Sequence, residues 1–322
     1  MKKKTPKRAQ KNANWSFPHF IGNEQVCQYL QNVQQSGSLH HAYLFTGPAQ
    51  VGKTTLAQIF AHHILNDMEA TLPWPIVSST ELSSHTDFVG FSAAEFSGVE
   101  DVRKIVQAAQ QSPLRAKHRV VLMSDIDALS ESAMNALLKA FEDAPPKTLF
   151  LCTSSHPQLL LSTLRSRCQQ IPLQGSKDAQ LEEHLLEHFS EKKRTRDIVA
   201  LAEGRPGLLT DWVNDSEALD AAEQLLENIR QLRTQSLHEK HQFVTTLFKG
   251  VKEFSEKQEI AARFLHYLVL DEKNRLFQKD QTGQKLQAHR VKHVRKALQG
   301  QKLLRQNTQA ALLLEDLLLT YV

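Results

Sequence analysis

Three cysteines in 322 residues, Cys27, Cys152 and Cys168, are too few and too scattered to make a framework. No CxxC pair occurs, and the count is odd, which excludes both a disulfide scaffold and a zinc knuckle and suits a reducing compartment. Long apolar runs are missing too. A membrane helix needs about 20 consecutive apolar residues, and even the leucine-rich end from Ala310 to Leu319 is broken by Glu315 and Asp316. The basic start is not followed by an apolar stretch, so no secretory signal is expected and the location read from the sequence is cytoplasmic, with no membrane partner. The charges nearly balance, at a formal +4, so any contact with nucleic acid has to come from local clustering. Trp15, Trp74 and Trp212 lie too far apart to form a base-stacking array.

What is present is ordinary globular material, 41% hydrophobic and long enough for two or three domains. Residues 1–14 are almost all Lys, Arg, Gln, Asn and Pro and read as a disordered tail, either a solubilising leader or a weak electrostatic contact. From 15 to 172, short apolar runs alternate with helical periodicity. Ala42–Phe45, Val120–Met123 and Leu149–Cys152 read as buried strands. Helices are expected after Lys53, at Val99–Ala109 and at Ala133–Glu142. Such alternation predicts a parallel sheet with helices on both faces. After Pro172 the strand signals stop. Residues 173–215 read as short helices broken at Gly204-Arg205-Pro206-Gly207. Residues 216–322 read as an all-helical domain, with Leu219, Ala222, Leu225, Ile229 and Leu232 on one stripe.

Gly47-Pro48-Ala49-Gln50-Val51-Gly52-Lys53-Thr54 fits GxxxxGK[ST], follows a strand and opens a helix, the context that gives this motif its meaning. Glycines let backbone N–H groups curl around a phosphate, and the helix start adds a favourable dipole. Residues 47 to 54, with Thr55 beside them, are therefore the expected nucleotide-binding set. Lys53 would meet the β and γ oxygens of ATP or ADP, and Thr54 would offer its hydroxyl to Mg²⁺.

A second strand ending in acids is needed to handle Mg²⁺ and the attacking water, and the candidate is Val120 to Asp127. Here the run Arg119 to Pro146, with Asn135-Ala136-Leu137-Leu138-Lys139, resembles the bacterial clamp-loader subunits of the AAA+ superfamily. Thr163-Leu164-Arg165-Ser166-Arg167-Cys168 resembles their Ser-Arg-Cys element. Ile21-Gly22 with Gln25, His41 to Phe45, Gln110 to Pro113, and Gln306-Asn307 through Glu315 match in order. The resemblance implies an AAA+ P-loop domain with a helical lid and a C-terminal helical collar, working in a hetero-oligomeric ring with gamma/tau-type and delta-type subunits, a sliding clamp and primer-template DNA.

The departures from that pattern are informative. Motor subunits of the family carry Asp where this chain has Ser124 and Glu where it has Asp125, so Asp125 is a degenerate remnant. Asp127 is a carboxylate close enough in sequence to replace part of what is missing. The sensor position falls at Ser154 or Ser155. The lid arginine of the motors aligns with Gly207, with Arg205 two residues away. This combination resembles the delta-prime type, which implies weak or absent hydrolysis and an arginine finger, Arg167, acting on a neighbour's nucleotide. An active gamma/tau-like motor is the alternative. The four-cysteine zinc module of many relatives is absent between Asn66 and Phe91, so no zinc is expected. The acid-free run from Gln284 to Arg305 reads first as a solvated helix face and second as a phosphate-contacting one.

Overall fold

Apolar strands buried on both faces need helices on both sides, and the chain supplies them in sequence order. In the computed structural model these are α1 (Glu24–Ser36), β1 (Ala42–Thr46), α2 (Lys53–Leu65), β2 (Phe88–Ser92), α3 (Val99–Ala109), β3 (Arg119–Ser124), α4 (Glu131–Asp143), β4 (Thr148–Ser154), α5 (Ser162–Arg167) and β5 (Gln169–Pro172). Then come α6 (Asp178–His188), α7 (Thr195–Ala202) and α8 (Pro206–Asn214). The described residues are 20–66, 82–93, 98–188, 195–277, 284–304 and 308–321. The expected tail at 1–14, Trp15, Trp74, and the positions Arg305, Gln306 and Asn307 fall outside them.

The five strands form one parallel sheet in the order β2-β3-β4-β1-β5. Side-chain alternation divides the core in two. Tyr43 and Phe45 face one layer with Leu56 and Phe60 of α2 and Leu30 of α1. Ala42 and Leu44 face the other, with Val102 and Ile105 of α3 and Leu137 and Phe141 of α4. Three strands are legible from apolar runs; β2 and β5 are not, and they are the two edges. In β5 only Ile171 is buried, so nothing but its pairing with β1, Tyr43 opposite Gln169, makes it a strand.

One buried acid holds a loop of this unit. Asp87 is fully buried, and its carboxylate accepts from the backbone N–H groups of Leu114, Arg115 and Ala116 at 2.7, 2.7 and 2.8 Å. Burial alone would raise its pKa, but the three donors outweigh burial and hold it below the ordinary carboxylate value. A folded pKa below the unfolded one gives stability that is present at neutral pH and lost as pH falls through the folded value. Asp87→Ala is therefore expected to lose about 2 kcal/mol at pH 7. The gap from the unaltered chain should narrow in acid, as urea unfolding at the two pH values would measure.

The chain divides into two compact units, residues 1–209 and 210–322. That division falls within α8, earlier than the 215/216 boundary expected from sequence. Pro206 occupies the first helical position, where its missing N–H costs nothing, so the breaker restarts a helix as well as ending one. The second unit holds α9 (Ser216–Gln231), α10 (Leu237–Leu247), α11 (Phe254–Phe277), α12 (Gln284–Leu304) and α13 (Ala310–Leu319). Asp215 caps α9 through the N–H groups of Glu217 and Ala218, and Ser236 with Glu239 forms a capping box on α10. Ile229, Val244, Phe264, Leu268, Leu314 and Tyr321 lie in its core. The basic run on α12 is not one solvated face: Arg290 and His293 are buried, and Lys296 pairs with Asp316 at 2.8 Å. Lys292, Arg295 and Lys302 stay exposed. No helix among the described residues is long and apolar enough to cross a membrane.

Candidate functional site

Parallel strands end together at one edge of the sheet, and ligands bind there in folds of this kind. Thr46 at the end of β1 lies opposite Ser154 of β4, and β3 runs alongside β4 to finish at Ser124. The loop 47–52 leaves β1 and delivers the chain into α2. Gly47 has φ 145° and Gly52 φ 92°, left-handed conformations that glycine adopts without penalty. A Cβ at Gly47 would run into the Leu173 carbonyl, and one at Gly52 would stand 2.8 Å from the Phe20 ring. Gln50 also has a positive φ, 62°. Pro48, Ala49 and Gln50 are exposed, Val51 is buried, and Thr54 and Thr55 are half-buried in the first turn of α2.

Lys53 is the centre of the arrangement. It is 5% exposed, and its Nζ donates to the Pro48 carbonyl at 2.7 Å and to Ser155 Oγ at 2.9 Å. Burial lowers its pKa, while the carboxylates of Asp125 and Asp127 act to raise it. Asp125 follows the strand end with a left-handed backbone, φ 54°, and its N–H donates to Thr153 Oγ1 at 3.0 Å. Asp127 Oδ1 accepts from the Ser155 N–H at 3.2 Å. The two sensor candidates thus part company: Ser155 stands on Lys53, whereas Ser154 is fully buried and its Oγ accepts from the His156 N–H at 3.2 Å. The sequence offered Asp127 only as a nearby acid; its link to Ser155 spans 28 residues and leaves no local signal.

The Asp125 carboxyl is pushed up, first by burial and then by the Asp127 charge, with Lys53 opposing. An acid whose folded pKa lies above its unfolded one costs stability once it is charged. Asp125→Asn is therefore expected to raise the melting temperature at pH 7, helped by the tolerance of Asn for left-handed backbone. The gain should vanish in acid where Asp125 is itself protonated, which calorimetry at the two pH values would check.

Arg167 closes α5. It is 39% exposed, and its Nη2 pairs with Glu142 Oε1 at 2.5 Å while Nη1 donates to the Thr163 carbonyl at 3.1 Å. Among the described residues these contacts lie on α4 and α5, not on the phosphate loop. At the start of α8, Gly207 donates its N–H to the Gln50 carbonyl at 2.9 Å, and a Cβ there would stand 2.9 Å from that oxygen. Arg205 is held within its own turn, by the Ala202 carbonyl at 3.2 Å and Glu203 at 3.6 Å.

The residues present fit a nucleotide. A cradle that side chains would fill, a buried ammonium group and a helix start converge on one point. Thr54, half-buried in the first turn of α2 beside Lys53, is the hydroxyl that would serve Mg²⁺. Among the described residues no three His, Cys, Asp or Glu side chains are grouped to hold a metal ion by themselves.

Residues 22–177 match the family described as DNA polymerase III, delta subunit. The DNA polymerase III subunit tau/gamma of Haemophilus influenzae is 31% identical over 204 residues, covering 61% of this chain and 30% of that protein. The DNA polymerase III subunit gamma of Buchnera aphidicola is 28% identical over 247 residues, covering 72% of this chain and 67% of that protein. A solved DNA polymerase III gamma subunit-related protein of Thermotoga maritima covers 91% of this chain and 98% of its own, with 16% identity and a TM-score of 0.49. The chain spans 30% of the length of the Haemophilus relative. Residues 22–177 thus resemble the DNA polymerase III delta-subunit family, with gamma/tau subunits among the similar proteins.

Proposed function

We propose that this chain, carrying a DNA polymerase III delta-subunit-like domain, is a clamp-loader subunit of the delta-prime type. It binds ATP or ADP, hydrolyses ATP weakly or not at all, and presents Arg167 to the nucleotide of a neighbouring subunit. One observation carries the reading: an intact phosphate cradle around Lys53 stands beside a strand end that offers Ser124 where a motor needs an acid. Lys53 and the loop N–H groups bind the phosphates, and Thr54 offers its hydroxyl to Mg²⁺, which when bound neutralises phosphate charge. Without a carboxylate at 124 and with a shortened one at 125, the attacking water lacks its polarising base. Nucleotide then serves as a conformational prop. In this reading, 173–215 is the lid and the helices of 216–322 join a collar ring with gamma/tau-type and delta-type subunits, which opens a sliding clamp and places it on primed DNA in the cytoplasm.

The second reading, a gamma/tau-like motor, is favoured by the names of the relatives. Reconstitution tests the proposal. Mixed with gamma/tau-type and delta-type subunits, the chain should enter one complex by light scattering, and that complex should load clamps onto primed circles. Loading that proceeds equally well without the chain would refute the assignment.

A further inference from the structure

The exits of β3 and β4 are tied together twice, in opposite directions. Asp125 donates its N–H to Thr153 Oγ1 at 3.0 Å, and Ser155 donates its N–H to Asp127 Oδ1 at 3.2 Å. The second tie bears directly on the site. Ser155 Oγ accepts from Lys53 Nζ at 2.9 Å, so its lone pair is engaged by the ammonium group and its own proton remains to be donated. A P-loop lysine meets the β and γ oxygens of a nucleotide, so a terminal phosphate drawn to Lys53 arrives within reach of that proton. The direction of the Ser155 side chain depends on how its backbone is held. Asp127, in the half-buried turn after β3, is what holds it.

We propose that Asp127 is a positioning residue that fixes Ser155 as a donor to the terminal phosphate, and so sets how far the site prefers a nucleoside triphosphate over a diphosphate. This rests on the nucleotide-binding reading above and adds the residue that tunes it. The diphosphate lacks the phosphate that Ser155 would meet, so loss of Asp127 weakens triphosphate binding selectively. The role runs through the hydrogen bond rather than the charge. Asparagine keeps an acceptor oxygen at that place and alanine does not.

The test uses the full chain with Mg²⁺ and two fluorescent ligands, mant-AMPPNP and mant-ADP, titrated to equilibrium. Asp127→Ala is expected to weaken mant-AMPPNP roughly 5- to 10-fold, the usual effect of losing one such hydrogen bond, with mant-ADP unchanged. Asp127→Asn should retain the preference of the unaltered chain. Ser155→Ala should reproduce the loss, and the double variant should add nothing, as two residues acting as one unit require. Equal weakening of both ligands in Asp127→Ala, no weakening of either, or a loss in Asp127→Asn as large as in alanine would each overturn the inference while nucleotide binding stands. If Asp127→Ala does not fold, an unchanged preference in Ser155→Ala overturns it. Failure of the unaltered chain to bind either ligand removes the nucleotide-binding reading, and this inference with it.

Discussion

Arg167→Ala is expected to lower ATP turnover at the neighbouring subunit's site on the order of 10³-fold, the lower range for arginine fingers supplied across an interface, while leaving this chain folded. The geometry supports both halves of that expectation. Arg167 ends a six-residue helix and is 39% exposed, so its removal opens no cavity. Its pairing with Glu142 is a surface ion pair, and such pairs contribute only about 0–1 kcal/mol. The guanidinium can therefore leave Glu142 for a γ-phosphate at small cost. The readout is DNA-stimulated ATPase in a complex with the single motor subunit that faces it, beside a melting curve of the variant alone. Unchanged turnover with an intact complex would remove the finger assignment.

Lys53→Ala is expected to weaken nucleotide binding roughly 100-fold, since two charge-assisted hydrogen bonds at about 1.5 kcal/mol each are lost. The half-buried carboxylates of Asp125 and Asp127 are then left without a cation, which pushes Asp125 higher still, because Lys53 is what opposes its rise. Isothermal titration with ATP and Mg²⁺ measures the first effect. An affinity within a few-fold of the unaltered chain would mean the cradle binds something other than a nucleotide phosphate.

How much of this was legible in the sequence depends on how local each signal is. The phosphate loop and its lysine are written in eight consecutive residues, because backbone conformation and charge are fixed there by residue type. Three central strands are legible because burial on both faces demands unbroken apolar runs. The edge strands are not: β5 exposes Gln169, Gln170 and Pro172, and β2 carries Gly90 with most of its length half-buried or exposed. Long-range partners are equally silent. Glu142 is 25 residues from Arg167 and Asp127 is 28 from Ser155, and only the sheet order brings them together. The basic run on α12 misleads in the opposite way, since charge alone cannot say that Arg290 turns inward to the Arg275 carbonyl at 2.9 Å.

The central claim is an intact nucleotide cradle joined to a degraded hydrolysis centre, and it is tested most directly on the purified chain alone. ATP affinity and steady-state ATP turnover would be measured in the same buffer with Mg²⁺. Tight binding with turnover no faster than in Lys53→Ala is the predicted result. Clear turnover that disappears in Lys53→Ala would contradict it and make this chain a motor in its own right.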